Sequence, residues 1–427
     1  MPVPLPRTLR FAAAVAALCT LAACGGGSST SSASSSSGGV VKLQLLTGFT
    51  GPDRPSYEAL VKSWNDSHPN IQVTMDAQPW AAIGQKLPQS WATGQGPDLA
   101  TPSSDPAAVF QYIKTNSVEP LDSAVGTGDG KIDSSAFPEA VTKAFTVDGK
   151  LYAAPANLAT LVLYYNKDLL QKAGITAPPA TQADFIADIM KTTLPAGSTT
   201  PTQYGISLAD HATIQMWPIL QWMNGGDVVD SKGCATVDSA ASVAALTQWA
   251  DLVRKDHVSP VGQTGADADT LFSSKKAAFE INGPWAAAGF RSAGIDLGIA
   301  QVPTGSAGAV TLGSTVPLMV AKSSKHKAEA EQFLAYWTGK TAQTDFSKAS
   351  GFPPVRTDLA SAVTGDAKTF ADALPSAKLY LAGLATGTKV DNDVYVPMIG
   401  KITRGTDVAK ATADAAKQIN AITGCQA

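Results

Sequence analysis

The chain has 427 residues, more than one ordinary hydrophobic core organises, so two lobes are expected, and 44 % apolar residues are enough to fill them. Charged residues make up only 16 % and the net charge is −3. No basic stretch is available to neutralise phosphates, which argues against a nucleic-acid partner.

At the N-terminus, Arg7 and Arg10 precede the short apolar run "FAAAVAAL", the pattern of a secretory signal over 1–23 that is too short to span a membrane. It ends in "LAAC", residues 21–24, which resembles a bacterial lipobox. By that resemblance cleavage precedes Cys24, whose thiol and new amino group receive lipid. The Gly/Ser-rich stretch 24–39 cannot bury apolar surface and is expected to be a flexible tether directly after that anchor. The mature protein is then expected outside the cytoplasmic membrane. Cys19 leaves with the signal, so Cys234 and Cys425 remain in an oxidising compartment, either as a disulfide or as two free thiols.

Beyond the tether, "VVKLQLL" alternates Val41, Leu43 and Leu45 with Lys42 and Gln44, a strand pattern. Tyr57, Leu60, Val61 and Trp64 share one helical face, and "NIQVTMD" alternates again. This spacing is a βαβ unit and predicts a parallel sheet. The Gly-, Thr- and Pro-rich loop "TGFTGPD" lies at the carboxyl end of its first strand, where ligands sit in open α/β sheets. Further on, "LATLVLYYN" over 158–166 predicts one buried strand, followed by a short helix that stops at Gly174. Thr181 and Asp184 form a helix-capping pattern. Amphipathic helices follow around Leu246 and Val253, around Phe333 and Trp337 with a stop at Gly339, and from Val408 to a stop at Gly424. No second linker resembles the first, so the lobes are not joined by a floppy string.

Residues for catalysis are hard to find. There is no H-x-x-x-H spacing, no Gly-x-Ser-x-Gly elbow, no Walker loop, and no Gly-x-Gly-x-x-Gly after a strand. The closest carboxylate pairs, Asp267 with Asp269 and Asp391 with Asp393, look like helix-start and loop residues in solvent. No metal, cofactor or enzymatic activity is therefore expected. Tryptophan is conspicuous instead. Trp64, Trp91, Trp249 and Trp337 fall on core-facing helix positions, whereas Trp80, Trp217, Trp222 and Trp285 each stand beside a turn. Indole rings stack on the apolar faces of sugars, and pockets combine aromatic walls with a few placed polar groups.

The stretches "LATLVLYYNKDLLQKAG", "ATGQGPD", "KKAAFEINGPW", "QVPTG" and "SGFPPVRTD" together resemble the solute-binding proteins of sugar ABC importers, the maltodextrin-binding kind. The resemblance implies an α/β fold of two lobes joined by hinge strands, the class II periplasmic-binding-protein type, with the ligand in the cleft between them. It implies an N-lobe of 40–156 and 303–346 and a C-lobe of 157–302 and 347–427, with crossings near 155–157, 302–304 and 350–352. It further implies capture of a sugar, lobe closure, and delivery to the transmembrane subunits of an ABC permease by a monomer held at the membrane through its lipid.

Carried over by motif, Trp285 of "INGPW" is the stacking ring, and Asp105, following "GPD", accepts sugar hydroxyls with Ser104 beside it. Asn157 stands at the cleft floor. Gly313 and Ser314 of "LGST" bring backbone near the ligand, and Phe352 matches an aromatic at the third crossing. Trp80 and Thr50 match by loop position, and Trp217 belongs to a "WP" pair. The Glu-Pro-aromatic-aromatic stretch of maltodextrin binders is replaced by "ATIQM", and Ala159 stands where a glutamate is expected. Long maltodextrins are thus disfavoured, with Trp222 as the substitute face. No arginine occurs in "VDNDVYVPM", which weighs against a phosphorylated ligand, although Arg404 lies just beyond. Polyols, peptides, glycerophosphodiesters and a glycosidase remain as other readings.

Overall fold

The computed structural model describes residues 39–210 and 216–425. The signal, Cys24, the tether up to residue 38, His211 and residues 212–215 of "ATIQM" lie outside the described residues.

The alternating segment forms β1 (Val41–Thr47), which buries Leu43, Leu45 and Thr47 while Lys42 and Gln44 face outward. Helix α1 (Arg54–Ser67) buries Tyr57, Leu60, Val61 and Trp64, the face its spacing predicts. β2 (Ile71–Ala77) then returns parallel to β1, with Val41 opposite Ile71 and Thr47 opposite Ala77. Helix α2 (Trp80–Ala92) leads to β3 (Leu99–Ala100), parallel to β1 on its other side, and β4 (Ala154–Pro155) follows.

The apolar run 158–166 is not one strand. It divides at Leu161 into β5 (Ala159–Thr160) and β6 (Val162–Asn166), which enter different sheets. The reason is positional: here the chain leaves one hydrophobic core for the next, so every residue except the partly buried Tyr165 is buried although the strand is broken. The chain continues through β7 (Tyr204–Ser207), α3 (Met216–Trp222), α4 (Gly265–Ser273), β8 (Ala277–Asn282), α5 (Pro284–Ser292) and β9 (Leu297–Ala300). It ends through β10 (Thr311–Ser314), β11 (Pro317–Val320), α6 (Lys340–Ser350), α7 (Asp366–Ala373), β12 (Ala377–Leu379), α8 (Gly387–Val390) and α9 (Val408–Thr423).

Three sheets organise these elements. The first has the order β2-β1-β3-β11-β4, the second β9-β6-β8-β7, and a small third sheet β12-β10-β5 lies on the crossing segments. The sheets are mixed: β11 runs antiparallel to β3 and β4, and β8 antiparallel to β6. The parallel pairing expected of the βαβ unit is present between β1 and β2, whereas strands that arrive from the other lobe pair antiparallel. The first sheet lies in one core with α1, α2 and α6; the second sheet lies between a large core with α3 and α9 and a smaller one with Phe272, Phe290 and Phe370.

Chain passage between cores falls later than 302–304 and 350–352. Val302, Val310 and Leu312 pack in the second core and Val316 in the first, so the second passage covers 312–316. Pairing of β10 with β5 and β12 holds the chain on the hinge until then. Phe352 and Val355 still belong to the first core, with Arg356 bound to Asp133 at 2.9 Å, so the third passage follows Arg356. Cys234 and Cys425 are joined in a disulfide with Cα atoms 5.3 Å apart. The bond ties the end of α9 to the bridge between Val229 and Ala235, where Ala235 N also donates to Asn420 Oδ1 at 2.8 Å. Gly424 ends α9 in the left-handed conformation, φ 76°, as its position predicts. Gly339 does not act that way: the helix before it closes at Thr338 and Gly339 instead caps the start of α6.

Candidate functional site

Trp285 is the second residue of α5, with Pro284 at the first position where a missing N–H costs nothing. Its indole folds back over Gly283, where a Cβ would stand 2.2 Å from the ring, so only glycine fits beneath it. The ring is half-buried and packs against all three cores, with Phe352 at a centroid distance of 6.3 Å. Trp285 therefore stands where the lobes meet.

The first lobe faces it with the loop after β1. Trp80 lies over Gly48, again so closely that a Cβ there would sit 2.0 Å from the ring. Phe49 stacks on Tyr57 at 3.8 Å and meets the edge of Trp80 at 5.8 Å. Thr50 is exposed on this loop, and Asp53 ends it at the start of α1. Asp53 is partly buried with no side-chain partner among the described residues, and desolvation pushes its carboxyl up to about 6, opposed only by its own backbone N–H. Pro52 of the same loop reaches α5, its Cγ 3.0 Å from where a Cβ on Gly289 would stand.

Across the seam, a cavity of about 40 Å³ is lined by Ser104 and Asp105 from the first lobe, Gly313 and Ser314 from the hinge, and Tyr380 and Asp391 from the second lobe. Asp105 Oδ1 accepts from Ala107 N at 2.8 Å, and its other oxygen accepts from the hydroxyl of Thr388 on α8. Burial raises the Asp105 carboxyl above its ordinary range, and these two bonds oppose the rise. The Tyr380 hydroxyl donates to the buried Asp391 at 2.9 Å, so Asp391 is not the solvent-exposed loop residue its neighbours suggest. Gly313 sits against Ala377 and Leu379 of β12, 3.1 and 3.4 Å from an added Cβ, so its small size serves strand packing as well as access.

The remaining predicted residues are enclosed. Asn157 is buried; its Nδ2 donates to the Tyr57 hydroxyl at 2.7 Å and its Oδ1 accepts from Val316 N at 3.2 Å, which locks two passages together. Phe352 is fully buried beside Tyr57 and Phe346. Trp217 lies inside the second core with Nε1 donated to Ala209 O at 3.0 Å. Trp222 donates to Asp227 at 2.7 Å, and Lys378 covers its ring at 5.4 Å. In both cases α3 is buried on every side, so a turn beside a tryptophan did not mean an open ring face.

Asp53, Thr388 and Tyr380 are not among the residues expected at the site from the sequence, and Asp391 is expected in solvent instead. For Asp53 a signal was present, since it closes the loop already singled out at the end of β1. The other three lie far along the chain and reach the seam only through the fold.

Comparison with known proteins bears on the family and the fold. The family model for bacterial extracellular solute-binding proteins matches residues 59–373. A putative binding protein of Brucella abortus (strain 2308) is 26 % identical over 336 residues, which cover 76 % of this chain and 79 % of the relative. Among solved structures, the GacH receptor of Streptomyces glaucescens, described unliganded and in complex with acarbose, has a TM-score of 0.78 at 24 % identity, covering 91 % of this chain and 100 % of that one. UgpB of Mycobacterium tuberculosis in complex with glycerophosphocholine has a TM-score of 0.77 at 20 % identity, covering 90 % and 98 %.

Proposed function

The chain belongs to the bacterial extracellular solute-binding proteins, and from that premise we propose that it captures a mono- or oligosaccharide between its lobes and delivers it to an ABC permease. The observation that carries this reading is Trp285, a half-buried indole packed against all three cores where the lobes meet. A sugar stacked on it lies against the first lobe's loop, with Trp80 and Thr50 on one side and Ser104, Asp105, Gly313 and Ser314 on the other. Ionised Asp53 and Asp105 accept sugar hydroxyls in charge-assisted bonds, which are stronger than neutral ones. No bond is made or broken; the chain acts as a monomer through capture and closure. Cys24 carries the lipid, and the Ser/Gly tether gives the lobes reach from the outer face of the cytoplasmic membrane.

A phosphodiester cargo, as bound by the mycobacterial neighbour, finds less support. No residue lining the seam cavity is Lys or Arg. Arg404 donates to Gly400 O at 2.6 Å and faces Asp210 at 3.7 Å. A thermal-shift screen over sugars, polyols, peptides and glycerophosphodiesters tests the proposal, because a ligand that binds only the folded chain raises its melting temperature by mass action. Stabilisation by a sugar is expected; stabilisation by a phosphodiester alone overturns the sugar reading.

A further inference from the structure

Beneath the Trp285 turn, two carboxyl groups converge without a cation between them. Glu280 on β8 is fully buried, and its Oε1 accepts from Asn282 Nδ2 at 2.7 Å. The same nitrogen donates to Asp269 Oδ1 on α4 at 2.8 Å. Glu280 Oε2 is buried with no hydrogen-bond partner. Two ionised carboxylates at one amide would repel each other in a site of low dielectric, and burying an unpaired charge is costly.

The charged and titratable groups facing this pair from the surrounding elements offer no relief. Tyr164 of β6 uses its hydroxyl on Gly283 O at 2.7 Å. Arg291 of α5 is paired with Asp366 of α7. On β7, Ser207 stands opposite Glu280 in register but donates to Ala268 O at 2.7 Å. One proton removes both difficulties: it neutralises one acid and gives the orphaned oxygen a bond to make.

We propose that Glu280 is a neutral carboxylic acid that donates from Oε2 to Asp269, and that this acid pair positions the turn presenting Trp285. The connection is short. With both amide hydrogens of Asn282 held by the acid pair, its Oδ1 is aimed at Gly283 N, at 2.8 Å. Tyr164 holds the carbonyl of the same glycine, so the Gly283 backbone on which the indole rests is fixed at its N–H and its C=O. Burial and the charge of Asp269 both push the Glu280 carboxyl well above the ordinary carboxylate range, in keeping with a retained proton. Glu280 is thus a positioning residue; that the turn it braces holds a ligand rests on the function proposed above, whereas the proton does not.

Glu280→Gln tests the proposal in the full chain, because the carboxamide reproduces the neutral acid: its oxygen accepts from Asn282 and its nitrogen donates to Asp269. In wild type the folded chain keeps a proton that the unfolded chain releases above about pH 4.3, so folded stability falls as pH rises. E280Q lacks that loss. The melting temperature of E280Q relative to wild type is therefore expected to climb between about pH 5 and about pH 8. Infrared difference spectra at about pH 8 are expected to show a neutral-acid C=O stretch in wild type that vanishes in E280Q. A melting difference that does not change with pH, or a wild-type spectrum without that stretch, overturns the proposal. Neither readout uses a ligand, so failure here is separate from failure of the sugar-binding reading.

Discussion

Trp285 and Phe352 lie 6.3 Å apart, yet one is half-buried and the other enclosed, so removing them should have different effects. Phe352 has no exposed surface, so Phe352→Ala should cost about 3–5 kcal/mol of stability, measured by denaturant unfolding. Trp285→Ala should cost less, about 1–3 kcal/mol, while weakening sugar binding by about tenfold or more, or ~1.4 kcal/mol upward. Equal binding by the mutant in calorimetry would remove Trp285 from the site. On the proposed function, Asp53 should give ligand binding a pH dependence. Its carboxyl is raised to about 6 by desolvation, so below that pH it is increasingly protonated and no longer accepts as an anion. Sugar affinity should fall as pH drops through about 6, and Asp53→Asn should flatten that profile. For stability the sign is opposite: ionising a carboxyl whose folded value is raised costs the folded state, so its contribution worsens as pH rises from 3.8 through about 6.

The elements differ in how much of their role is local. Helix α9 buries Val408, Ala411, Ala415 and Ile419 on the face its periodicity predicts, and its end is fixed by the disulfide. That bond closes a span of 191 residues, so replacing both cysteines by serine should lower stability by about 3–5 kcal/mol through loop entropy. Because the bond joins residues within the second lobe, away from the seam residues, ligand affinity should persist in the folded fraction. A parallel loss of affinity and stability in the double mutant would contradict that separation. Strand β8 is the opposite case. "FEINGPW" reads as an apolar strand ending in a turn, but the acid in its middle makes sense only beside Asp269, which belongs to α4. A carboxyl inside an apolar strand, with only Asn282 as a polar neighbour, was itself a signal, though Asp269 could not be named from spacing.

At the scale of the whole molecule, the seam closes through few groups. Asp105 meets Thr388, Gly387 lies within 3.6 Å of Ala107 for an added Cβ, and Pro52 meets Gly289. Gly289→Val should therefore wedge the Pro52 loop away from α5, which raises the radius of gyration in solution scattering and weakens binding. A scattering curve identical to wild type would show that the loop yields instead. The sequence by itself determined the two-lobe α/β character, the βαβ start, the helix faces at Tyr57 to Trp64 and Val408 to Ile419, and the turn that carries Trp285, because these follow from periodicity and capping within a few residues. Tertiary structure alone decided that the apolar run 158–166 divides between two sheets, that Trp217 and Trp222 are enclosed, and that Thr388 reaches Asp105 while Tyr380 and Asp391 line the seam cavity. The physical reason is that burial and pairing depend on which distant segment covers a residue, and three passages of the chain between lobes bring together residues that no local pattern connects.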